Sequence, residues 1–162
     1  MNPTEITILL QLACFIIGSI FIVKAGKQDF TTKTPILLIP AFLLIALSLN
    51  SLTFILILIV SGIIFYLPKK VNTFMGKADL LLYTNIFIIF ITGNSPLTSI
   101  IMFITLGLTG YKLYNIQQDK EILDKNVPLI HYFAKYYKIT LLIAIGFILI
   151  LSTLMFTYNW VI

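Results

Sequence analysis

The apolar residues of this chain gather into long runs separated by short polar breaks. The first run covers residues 6–25, close to the roughly 20 residues a helix needs to cross about 30 Å of hydrocarbon. Residues 36–67 are apolar for too long to form one ordinary span, and only Ser48, Asn50 and Ser51 interrupt them. Two short helices with a tight turn are therefore predicted there. Residues 74–111 divide in the same way at Gly93, Asn94, Ser95 and Pro96, a cluster of turn formers. The last run covers residues 139–160, with Tyr158 and Trp160 placed as interfacial aromatic anchors. The pattern predicts an all-α polytopic membrane protein, six transmembrane helices in a single domain over residues 1–162.

Charge orients these helices. All 11 basic residues are lysines, and they fall in alternate gaps. Lys24, Lys27 and Lys33 follow the first stretch, Lys69, Lys70 and Lys77 the third, and Lys112, Lys120, Lys125, Lys135 and Lys138 the fifth. Every acidic residue except Glu5 lies in the same gaps, while the turns at Asn50 and Asn94 carry no Lys. By the positive-inside rule those three gaps are cytoplasmic and both termini are extracytoplasmic. A single long helix over residues 36–67 would put Lys33 and Lys69 on opposite sides, whereas a hairpin returns both to one side. The one sizeable loop, residues 112–138, holds Asp119, Glu121 and Asp124 among its lysines. After Pro128, the half-apolar run of Leu129, Ile130, Tyr132, Phe133, Tyr136 and Tyr137 predicts an amphipathic helix in the headgroup region.

Composition narrows the function. A chain that is 59% hydrophobic and 10% charged is unlike a soluble domain. Its net charge of +5 sits beside membrane spans, where it attracts anionic lipid, so nucleic acid is not the expected partner. Cys14 and His131 are the only residues of their kinds, which leaves no thiolate zinc site and poor grounds for any metal. No Ser, His and Asp arrangement, phosphate-binding Gly loop or zincin motif is present. His131, in an aromatic and basic segment, reads as an interfacial residue. Gln11, Thr84 and Asn85 lie in spans and read as helix-to-helix hydrogen-bonding residues. The absence of Arg beside abundant Ile, Lys and Asn fits an AT-rich prokaryotic genome.

Two carboxylates remain to be explained. Residues 80–92 alone would cover only about 20 Å of hydrocarbon, so the fourth helix is expected to start near Phe74. That start brings Gly76, Lys77, Ala78 and Asp79 into its first turns. Asp29 falls just past the end of the first span, at the same interface. A carboxylate at that depth is costly unless it faces water or a partner. Two sharing one site cannot both ionise easily, so one holds a proton while the other acts as a base, as water-activating aspartyl proteolysis requires. The plain alternative is a pair of interfacial charges neutralised by Lys27, Lys33 and Lys77.

At these residues the chain resembles the type IV prepilin and archaeal preflagellin peptidases, a family of six-helix intramembrane aspartyl proteases. Asp29, Lys33 and Pro35 look like the family's first element, an Asp at the end of the first helix followed by basic residues and a proline. Gly76-Lys77-Ala78-Asp79 looks like its Gly-x-Gly-Asp motif, with Ala78 in place of the second Gly. Leu81 stands where the family often has Lys, and Ile36 where it has Asn. The resemblance implies catalysis by Asp29 and Asp79, and substrate backbone passing close to Gly76, Lys77 and Ala78. It also implies removal of short basic leaders from prepilin-like or preflagellin-like proteins at a prokaryotic cytoplasmic membrane, without metal or organic cofactor. The gap at residues 26–34 is too short for the N-methyltransferase portion that larger members carry. Two other readings stay open: a small proton- or cation-coupled transporter using the same aspartates, and a non-catalytic assembly subunit.

Overall fold

The computed structural model describes residues 3–32, 36–66, 77–118 and 129–159. Among them the chain is all-α, with six helices: α1 (Pro3–Thr32), α2 (Leu38–Leu49), α3 (Ser51–Tyr66), α4 (Lys77–Thr92), α5 (Pro96–Gln118) and α6 (Leu129–Asn159). Three of these, α1, α5 and α6, are long and apolar enough to cross a membrane; α2 and α3 are apolar but shorter. At 1.5 Å per residue, α2 with its 12 residues reaches only about 18 Å.

Polar side chains organise the two tight turns. Asn50 is the last residue before α3, and its Oδ1 accepts from the Thr53 backbone N–H at 2.7 Å, capping that helix. Its Nδ2 donates to the carbonyl of Thr92 at 2.8 Å, so the same side chain closes the C-terminus of α4. The hydroxyls of Thr53 and Thr92 are hydrogen-bonded to each other at 2.9 Å. At the second turn, Ser95 Oγ faces the Thr98 backbone N–H at 3.4 Å, and Pro96 takes the first helical position, where its missing N–H costs nothing.

These contacts define the two ends of the bundle. The end of α2 lies beside the end of α4 through Asn50 and Thr92. At the opposite end, Gln28 of α1 accepts from the backbone N–H of Leu37 just before α2, and the last turns of α1 meet the first turn of α6. Helix α2 packs against both α1 and α4, and α6 packs against α1, α4 and α5. Asp29 and Asp79 therefore stand at the same end.

The core lies along small-residue seams. Adding a Cβ at Gly18 would press it against Ala41 and Ile45 of α2, and one at Gly26 would collide with Ala134 of α6. Close backbone approach of this kind drives helix association where lipid is as apolar as the protein. Around these seams Ile22, Ala25, Phe42, Ile45, Leu82, Ile89, Ile130, Phe133 and Tyr137 are buried. Buried polar groups join the helices at a few points, with Ser19 and Tyr137 at 2.9 Å and Thr105 and Thr140 at 2.7 Å.

Two sequence expectations change. Helix α1 runs seven residues beyond Ala25 to Thr32, so Asp29 is in its last turns and not past its end. The segment from Leu129 to Tyr137 does not form a separate surface helix. It is the first third of the 31-residue α6, and Leu129, Ile130, Phe133, Ala134 and Tyr137 bury against the bundle. Those side chains recur every three or four residues, in register with Thr140 and Leu141 further along, so one continuous face packs better than a separate surface helix.

Candidate active site

Asp29 is held by α6. Its Oδ2 accepts from the backbone N–H of His131 at 3.2 Å, and the N–H of Ile130 also faces the carboxylate. These are among the first four N–H groups of α6, which have no partner within their own helix. A carboxylate there satisfies them and meets the positive end of the helix dipole. Asp29 thus caps α6 from another helix, while remaining partly exposed.

His131 encloses the same spot. Its Nδ1 lies 3.2 Å from the carbonyl of Gly26, and since a carbonyl only accepts, Nδ1 carries the proton. Its ring stacks at a tilt on Phe30, with centroids 4.9 Å apart. This placement differs from the interfacial one that the sequence predicts for the histidine. The overlooked signal is that residues 129–137 continue the helical register of the last span, which carries the histidine to the end of α1.

Asp79 lies in the first turn of α4, partly exposed, one helical turn before Tyr83 and close enough to influence it electrostatically. Lys77 opens the helix and donates from Nζ to the carbonyl of Phe65 at 3.1 Å, closing the last turn of α3. Ala78 is partly buried and packs on the core. Gly76 and the expected helix start at Phe74 lie outside the described residues, as do Lys33 and Pro35.

The two aspartates share an end of the bundle without their helices being neighbours. Among the described residues, α1 and α4 do not pack on each other; α2 and α6 lie against both. No group of three or more His, Cys, Asp or Glu able to hold a metal occurs among the described residues. Thr84 bonds within its own helix, to the carbonyl of Leu80 at 2.6 Å, and Gln11 is exposed on α1. Asn85 does bridge helices: it is fully buried and donates to Ser61 of α3 at 3.4 Å, while its Oδ1 has no partner. Comparison with family models, curated proteins and solved structures finds no match to the chain.

Proposed function

We propose that this chain is an intramembrane aspartyl endopeptidase that removes short basic leaders from prepilin-like or preflagellin-like proteins, with Asp29 and Asp79 as its catalytic pair. One observation carries the reading: two partly exposed carboxylates stand at the same end of a mostly apolar bundle, where such groups are expensive unless used. In this reading all six helices cross a prokaryotic cytoplasmic membrane, both termini face outward, and the aspartates face the cytoplasm. The short α2–α3 hairpin is compatible with that, because Asn50 supplies partners to the turn's backbone from inside the protein, as a turn within hydrocarbon requires.

The chemistry needs no cofactor. A water between the carboxyls gives a proton to the ionised one as its oxygen attacks the scissile carbonyl, and the protonated one assists the tetrahedral intermediate and the leaving amine. Gly76, Lys77 and Ala78 flank the substrate backbone beside Asp79. Asp29, held at Oδ2 by the N–H of His131, meets this water through its other oxygen when substrate binds, since catalytic contacts often tighten only in the complex.

The cap that Asp29 makes on α6 favours a second reading, a non-catalytic assembly subunit in which this carboxylate serves only packing. Co-expression with a prepilin-like substrate separates the two. Leader removal by the wild type and none by Asp79→Asn supports the protease, whereas an intact leader in both supports the subunit.

A further inference from the structure

We infer that His131 is a positioning residue for Asp29, an inference that rests on reading Asp29 as one of the catalytic pair. The histidine touches the end of α1 at three residues. Its ring Nδ1–H bonds to the carbonyl of Gly26, its backbone N–H bonds to the Asp29 carboxylate, and its ring lies on Phe30. An aspartate near a helix end has several open rotamers. Here the N–H groups of Ile130 and His131 select one, and the ring fixes the distance between the helices that carry the two partners.

The seam beneath makes the grip possible. Gly26 has no Cβ, and Ala134, one turn after Ile130, occupies the room that one would need. This lets α1 and α6 approach until a backbone carbonyl of one helix is within reach of a side chain at the start of the other. Glycine at position 26 and histidine at position 131 therefore act as one device, with Asp29 as its cargo. Catalytic groups that rest on such a supporting contact lose rate steeply when it loosens, because the geometry tolerates little drift.

The test reads the Asp29 carboxyl itself, apart from any cleavage. The detergent-solubilised full chain is treated with a water-soluble carbodiimide and an amine, and modification of Asp29 is measured by mass spectrometry against Asp79 in the same molecule. His131→Ala is expected to raise Asp29 modification several-fold while Asp79 stays as it was. It is also expected to lower kcat on a prepilin-like substrate by about 10- to 100-fold with little change in KM. His131→Asn, whose amide nitrogen sits where Nδ1 does, should recover most of both. Gly26→Ala should mimic His131→Ala by pushing the helices apart, and adding Ala134→Gly should reverse it. Unchanged Asp29 modification in both His131→Ala and Gly26→Ala overturns the inference and leaves the proteolytic reading standing. A rise in modification with no cleavage by the wild type keeps the positioning of Asp29 and removes the proteolysis.

Discussion

Asp29 answers two demands at once, and they separate by substitution. As the cap of α6 it must accept hydrogen bonds, which an amide oxygen also does; as a catalytic group it must ionise, which an amide cannot. Asp29→Asn should therefore keep most of the stability, while Asp29→Ala leaves the first N–H groups of α6 without that acceptor and costs about 1 kcal/mol, the usual scale of a lost cap. Denaturant unfolding of the wild type and both variants in detergent checks this, and equal losses for Asp29→Asn and Asp29→Ala would remove the capping role. Both carboxylates stand out in the sequence because charges are rare among its apolar runs. The partner of Asp29 does not, because a backbone N–H leaves no mark in the pattern of side chains.

Among the elements, the breaks were easier to read than the faces. The turns at Asn50 and at residues 93–96 carry polar side chains amid apolar ones, and they divide the chain where the structure does. Which side of each helix faces inward was hidden. Exposed residues such as Leu58, Phe87 and Ile143 are as apolar as the buried Ile57, Leu82 and Phe133, so periodicity gives no contrast. Small and hydroxyl residues are the better guide: Ser19, Thr53, Ser61, Thr105, Thr109 and Thr140 are all buried. The extent of α6 is hidden in the sequence for a related reason. Lys135 and Lys138 look like loop residues by hydropathy, yet they are exposed positions on a helix whose other face is packed. Asn50 is the element-scale test. It caps α3, closes α4 and ends α2, so Asn50→Ala removes acceptor and donor together and should cost about 2 kcal/mol, the upper range for a single cap. Asn50→Asp keeps the acceptor toward Thr53 and should lose less. Equal thermal stability of wild type and Asn50→Ala would show that the turn does not depend on this side chain.

At the scale of the whole molecule, the bundle has one end bearing Asp29, Asp79 and, among the described residues, Lys27 and Lys77, and another closed by Asn50 and Thr92. On the proposed reading, the positive-inside rule places the lysine-bearing end toward the cytoplasm. Reporters fused after Lys33, Lys70 and Lys125 should read cytoplasm, and those after Asn50, Asn94 and Ile162 should read outside. An opposite result at Lys70 or Asn94 would put the aspartates in different compartments. The central claim is that Asp29 and Asp79 act as one unit, and residues that do so are strongly non-additive when removed. The most direct measurement is the cleavage rate of a prepilin-like substrate by the purified wild type, Asp29→Asn, Asp79→Asn and the double variant. Each single change should abolish cleavage with the protein still folded, and the double should be no worse than either. Full cleavage by Asp29→Asn beside none by Asp79→Asn would contradict the pairing and leave Asp29 as the cap of α6 alone.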